Sequence, residues 1–239
     1  MCLIVVRWSH HPDFRLDLVA NRDEFTARPT QAAHDWEEGF FGGRDLQAGG
    51  AWIGIAPGHR MACLTNVRDP KAPTGERSRG ALVRDYLAGS ANPADYISSL
   101  NIEDFSPFNL LLLDGPHLWF FNSQSGQAPR RLPGGVYGIS NASLNTPWPK
   151  TLSVCRAMRS SPRLAYQAMM DTHTYPDAML PNTGVSPAWE KRLSSARILG
   201  DDYATLSTTQ ISGDGQGLTL TETTHASASV VTGTRPGAH

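Results

Sequence analysis

The sequence predicts an α+β fold of two mostly antiparallel sheets with helices packed outside them. Strand hairpins come first, helical periodicity follows, and strands return at the end, an order that favours antiparallel sheets over alternating βαβ units. The apolar runs are short and are joined by Gly- and Pro-bearing turns. No internal repeat, Gly-x-Gly-x-x-Gly or P-loop pattern marks a doubly wound nucleotide-binding sheet.

Residues 2–9 (CLIVVRWS) are rich in Ile and Val and read as a buried strand. Residues 15–21 (RLDLVAN) alternate and read as its hairpin partner, with a turn at His11, Pro12 and Asp13. The stretch from Arg28-Pro29 to Gly50 reads mostly as loop, punctuated by Gly42-Gly43 and Gly49-Gly50. Strands are expected at 51–56 and 60–66, joined across Pro57-Gly58. Apolar spacing at Leu82, Val83, Tyr86 and Leu87 predicts an amphipathic helix over 78–89, with Ser78 as N-cap. A short helix begins at Pro93. Residues 108–114 and 117–122 form a hairpin across Gly115-Pro116, and 135–141 a further strand. Helices follow at 149–160 and 162–171, then a polar, Pro-rich loop over 172–187 and a short helix near 188–196. The last strands are 203–211 and 217–223. A single domain over 1–224 results, and the small, polar segment 225–239 is expected to be disordered.

The 239 residues are enough to bury a sizeable core, and the formal net charge of −1 offers no counterion-releasing surface for nucleic acid. Arg77-Ser78-Arg79 and Arg130-Arg131 read as solvated charge. No segment reaches the ~20 apolar residues of a membrane span. The apolar start, Cys2 to Val6, is too short for a signal peptide, so a cytoplasmic location is expected. The three cysteines, Cys2, Cys63 and Cys155, are a poor disulfide framework and lack metal-ligand spacing. Cys63, in the apolar run Met61 to Leu64, and Cys155, in a helix, read as core residues.

Cys2 stands apart because of its position. Removal of Met1 would leave a thiol and a free α-amine on one residue. An α-amine has a pKa of about 7.7–8.0, so it serves as general base for its own thiol without a histidine. Such a nucleophile needs groups that hold the amine and donors for the oxyanion formed on an attacked carbonyl. If the first two strands pair antiparallel, the end of the second, Asn21-Arg22-Asp23-Glu24, lies close to Cys2. A carboxylate there would accept from the α-ammonium, and a guanidinium would favour thiolate; a polar turn with an internal ion pair fits the same residues. Asn66 and Asn141 end strands and would donate to an oxyanion if those ends reach Cys2, or would serve as turn residues. The eight histidines show no metal-ligand spacing, and only the His10-His11 pair remains as a ligand candidate.

Met1-Cys2-Leu3-Ile4, Ala20-Asn21-Arg22-Asp23-Glu24-Phe25, Arg28-Pro29, Gly42-Gly43-Arg44-Asp45-Leu46, Ala48 to Gly54 (AGGAWIG) and Leu64-Thr65-Asn66 form an ordered series. Ser78-Arg79-Gly80, Phe108-Asn109-Leu110-Leu111, Tyr137 to Asn141 (YGISN) and Thr146 to Lys150 (TPWPK) continue it to about residue 150. Together they resemble the NRDE family, the transport-and-Golgi-organisation proteins. The resemblance implies an N-terminal-nucleophile (Ntn) hydrolase-type αββα sandwich, distantly related to choloylglycine hydrolases and penicillin V acylases. It implies cleavage of a non-peptide amide by Cys2, with Arg22 and Asp23 as neighbours, Asn66 and Asn141 as oxyanion or amine contacts, and no required cofactor. Family members carry an Arg near the C-terminal strand where this chain has Leu206. The family's association with haem trafficking and lipid homeostasis implies the alternative of a non-catalytic carrier, with haem as ligand and His10, His11 or Cys2 on the iron. The expected partner is thus a small-molecule amide or a hydrophobic ligand.

Overall fold

The computed structural model of the protein describes residues 2–9 and 13–237. Its first strand, β1 (Cys2–Ser9), is buried on both faces, and each face meets a different layer. Ile4, Val6 and Trp8 enter a core between two sheets, whereas Leu3 and Val5 pack on helices. β2 (Arg15–Phe25) pairs antiparallel with β1 and repeats the division, with Leu16, Leu18 and Ala20 inward and Val19 outward. The period-two alternation of a strand therefore sorts consecutive apolar residues into two cores.

One sheet runs in chain order through β3 (Thr30–Asp35), β4 (Phe41–Asp45), β5 (Ile53–Ala56), β6 (Arg60–Asn66), β7 (Phe108–Asp114), β8 (His117–Asn122) and β9 (Arg130–Leu132). The outer face of this sheet, with Ala62, Leu64, Leu110 and Leu112, is covered by α1 (Gly80–Ala88) and α2 (Pro93–Ser98) through Leu82, Val83, Tyr86 and Ile97. The other sheet adds β10 (Gly135–Ile139), β11 (Tyr203–Asp214), β12 (Gly217–Thr224) and β13 (Ser229–Pro236) in the order β10-β1-β2-β11-β12-β13. Its outer face is covered by α3 (Pro149–Ser160) and α4 (Pro162–Met169), through Val154, Met158, Ala165 and Met169. All strand pairs between named strands are antiparallel. The layers are therefore αββα, as expected.

Local chemistry starts the helices. α2, α3, α4 and α5 (Pro187–Arg192) each open on a proline, which suits the first helical turn. Asn92, Ser161 and Ser186 cap three of them by accepting a backbone N–H of the first turn. Ser78 is not the N-cap of α1; Arg79 holds that position, and the Ser78 hydroxyl accepts from the Gly80 N–H at 3.3 Å. Among the described residues, no helix is long and apolar enough to cross a membrane.

Two expectations are corrected. The stretch 28–50 is not mostly loop: it holds β3 and β4. Gly42 and Gly43 lie within β4, where a Cβ would stand 2.5 Å from the Ile53 carbonyl oxygen and 2.2 Å from the Trp52 ring. They permit close approach rather than a turn. Within the expected disordered tail, Ser229–Pro236 is ordered: it forms β13, at the edge of the sheet beside β12. Its small, polar residues pair across the strands, Thr219 with Thr234 at 3.2 Å and Thr221 with Thr232 at 3.0 Å. Val231 packs on the inter-sheet core, and Arg235 forms an ion pair with Asp35 of β3. Removal of residues 229–239 should therefore cost about 2–3 kcal/mol, the burial of one or two aliphatic side chains. Urea unfolding of the truncated and full chains measures this; equal midpoints would mean that β13 contributes nothing to the fold.

Candidate functional site

The site lies at the end of the sandwich where β1 begins. Cys2 is paired directly with Arg22 across the antiparallel register. Both continue the inward rows of their strands, and opposite side chains of such a pair have Cβ atoms about 4.5–5.5 Å apart. Arg22 is only 6% exposed. Its Nη1 donates to Thr30 Oγ1 at 3.0 Å, its Nη2 lies 3.9 Å from Asp45 Oδ2, and its guanidinium stacks 4.3 Å from the centre of the Trp52 ring. Asp45 also binds Arg28 Nε at 2.7 Å and accepts from the Gln47 and Ala48 amides at 3.0 and 3.1 Å. Trp52 in turn rests on Gly43, so the bare backbone of β4 sets the ring against which Arg22 lies.

Alternation turns the neighbours of Arg22 the other way. Asn21 donates to the Met169 and Ala196 carbonyls at 2.9 and 2.8 Å and accepts from Thr208 at 2.6 Å, which ties β2 to the helical layer. Asp23 accepts from Thr205 Oγ1 at 2.6 Å. Burial pushes its carboxyl above the usual range, and the charge of Lys150 pulls it back. Lys150 is itself buried, donates to the Leu193 carbonyl at 2.8 Å, and has its pKa lowered to about 8 by burial, with Asp23 opposing. Burial likewise pushes the Cys2 thiol up, and Arg22 opposes that shift.

A cavity of about 520 Å³ opens over Cys2. Arg22, Asp23, Glu24 and Trp52 line it, with Asn66 from the end of β6 and the segment 74–80 leading into α1. The Asn66 side-chain amide makes no hydrogen bond among the described residues, whereas the Asn66 main-chain carbonyl accepts from Asn141 Nδ2 at 2.9 Å. Asn141 is buried and does not line the cavity; Ser140 and Arg68 stand 3.4 and 3.5 Å from its Oδ1. Asn141 thus holds the main chain at Asn66, next to Ser140, whose hydroxyl donates to the Cys2 carbonyl at 3.3 Å. Of the five expected residues, Cys2, Arg22, Asp23 and Asn66 meet at one cavity. His10 and His11 lie outside the described residues.

Leu206 sits where the β2–β11 register shifts, between Thr205 and Ser207, and lines a separate cleft of about 630 Å³. Arg28 borders both spaces. The Leu206 position thus does not empty the Cys2 cavity of positive charge, which Arg22, Arg28, Arg77 and Arg79 supply. A larger open groove of about 800 Å³, at the far end of β1 by Ser9 and Asp214, has no cysteine in its lining. Arg79, expected to be solvated, is half-buried in the cavity wall. The buried pair Arg68–Glu190, at 2.7 Å, and Lys150 carry no local sequence signal of a role near Cys2. Only the TPWPK and SRG motifs pointed at Lys150 and Arg79.

A profile of the family described as Transport and Golgi organisation 2 matches residues 1–227. The Transport and Golgi organization protein 2 homolog of Bos taurus is 31% identical over 255 residues, covering 93% of this chain and 92% of that protein. The homolog of Homo sapiens is 33% identical over 166 residues, 63% of this chain and 60% of that protein. Among solved structures, the Caenorhabditis elegans N-acylethanolamine-hydrolyzing acid amidase ortholog superposes with a TM-score of 0.54 over 88% of this chain and 92% of that one, at 12% identity. This likeness shows the fold, an Ntn-hydrolase-type sandwich.

The dependence of Arg22 on Trp52 is testable through Gly43. Gly43→Ala forces the indole to move and should cost about 1–3 kcal/mol, the usual effect of overpacking. Gly215→Ala, where a Cβ would meet nothing within 4 Å, should stay within about 0.5 kcal/mol of the parent. Urea denaturation of both variants checks this; equal losses would break the proposed chain of support.

Proposed function

The chain belongs to the Transport and Golgi organisation 2 family, and on that footing we propose that it is a cytoplasmic amidase for a non-peptide amide, with Cys2 as nucleophile once Met1 is removed. The observation that carries the reading is the cavity itself: a thiol opposite a buried guanidinium, with the unengaged amide of Asn66 on the same wall. The solved neighbour hydrolyses N-acylethanolamines by its name, which is amide chemistry on the same scaffold.

In this mechanism the freed α-amine of Cys2 takes the thiol proton, and Arg22 stabilises the thiolate. Sulfur attacks the amide carbon, forming the S–C bond and pushing the carbonyl electrons onto oxygen. Asn66 donates to that oxyanion, and Asn141 holds Asn66 by its carbonyl. Asp23 lies beside the start of β1 and holds the amine; the charge of Lys150 and the Thr205 hydroxyl oppose the upward shift that burial gives its carboxyl. Collapse breaks the C–N bond, and the leaving amine takes the proton from the α-ammonium. Water then cleaves the thioester, with the α-amine again accepting a proton, and releases the carboxylic acid.

A panel of N-acyl amides, N-acylethanolamines among them, tests the reading. Turnover should vanish in Cys2→Ala, acid quench of the parent should trap an acyl group on Cys2, and Asn66→Ala should lower kcat by roughly 10²–10³-fold, as loss of one oxyanion donor does. Cys2→Ala with undiminished turnover would overturn it. A carrier of haem or lipid would instead bind its ligand without forming product or an acyl adduct.

A further inference from the structure

The four guanidinium groups that line the Cys2 cavity are not equivalent. Arg22 and Arg28 share the carboxylate of Asp45. Arg77 lies within ion-pair distance of Asp85 and Asp104, at 3.5 and 4.0 Å. Arg79 has no ion pair among the described residues; its Nη1 donates to the Pro107 carbonyl at 3.1 Å. That bond pins the side chain at the start of α1 and leaves its charge uncompensated. The carboxylates of the lining are otherwise engaged or solvated. Asp23 takes the Thr205 hydroxyl, Asp45 takes Arg28, Glu24 accepts from the Phe25 amide at 2.8 Å, and Glu76 is exposed. A half-buried guanidinium with no ion pair, in the wall of the same cavity as the nucleophile, is placed to receive an anion that arrives with the ligand.

We propose that Arg79 anchors an anionic group of the substrate, so that the preferred substrates are amides bearing a carboxylate, such as N-acyl amino acids. The assignment rests on the amidase reading for the reaction, but the anion site itself does not. Burial lowers the pKa of Arg79, and the charges of Cys2 and Glu24 oppose that shift.

Alkylation of Cys2 separates the two ideas without any substrate. Iodoacetate and iodoacetamide differ by one carboxylate, and Cys63 and Cys155, both buried, serve as internal controls in the peptide masses. The ratio of the iodoacetate rate to the iodoacetamide rate at Cys2 should fall roughly tenfold in Arg79→Gln, as expected for loss of one nearby charge. Arg79→Lys should retain most of it, and 1 M salt should reduce it in the parent through screening. An unchanged ratio in Arg79→Gln overturns the proposal. So does an equal slowing with both reagents, which would make Arg79 a thiolate stabiliser instead. In turnover, the kcat/KM for an N-acylglycine over the N-acylethanolamine of the same acyl chain should fall by a similar factor in Arg79→Gln. If no amide is turned over while the alkylation ratio still depends on Arg79, the anion site stands and the amidase reading fails. If amides are turned over with no preference for the carboxylate, the anion site fails and the amidase reading stands.

Discussion

Arg22 is a cation almost wholly removed from water, and withdrawing such a group costs several kcal/mol unless its hydrogen bonds and charge are met. Thr30 of β3, Asp45 of β4 and the face of Trp52 meet them. Thr30 and Asp45 lie in the sheet of β3 to β9 and Trp52 just before its β5, whereas Arg22 belongs to the first sheet, that of β1 and β2. The same contacts that satisfy the guanidinium therefore clamp the two sheets together at the end where β1 starts. The register of β1 against β2 then delivers Cys2 to that clamp. A shift of one residue would turn Cys2 toward the helices and Leu3 toward the cavity.

Behind the clamp, polar groups are buried in a way that an apolar core would not require. Asn21 ties β2 to α4 and to the turn at Ala196, and Asp23, Thr205 and Lys150 fill the interval between the first sheet and the helices. Arg68 and Glu190 join the end of β6 to α5 at 2.7 Å, with Asn141 beside them. Each of these groups has a partner, and Asp23 also reaches the lining of the Cys2 cavity. The scaffold thus sets the thiol in the wall of a cavity at the end of a strand that is fixed by a network of paired polar groups. This arrangement suits a reactive group that must be held still while a ligand enters.

Much of the architecture was legible from local signals. The β1–β2 hairpin followed from the runs 2–9 and 15–21, and its antiparallel pairing was enough to bring Arg22 and Asp23 beside Cys2. Asn66 was legible as a strand end, and Cys63 and Cys155 as core residues. β3 and β4 were missed because Gly42 and Gly43 resemble turn punctuation until Ile53 and Trp52 are seen against them. β13 was missed because its Thr- and Ser-rich composition matches a disordered tail, and only cross-strand pairing with β12 gives it structure. The roles of Asn141, Lys150, Arg68 and Arg79 depend on contacts between segments far apart in the chain, such as Arg68 with Glu190, which no local periodicity encodes.

The central claim is that Cys2 acts as an N-terminal residue, thiol and α-amine together. The intact mass of the protein expressed without a tag tests it most directly. The account predicts a chain lighter by one methionine residue, with an unmodified N-terminal Cys2 that condenses with an aldehyde to a thiazolidine, a reaction that needs both groups. A chain that keeps Met1, or carries a blocked Cys2 amine, would contradict it, because the nucleophile would then lack its own base.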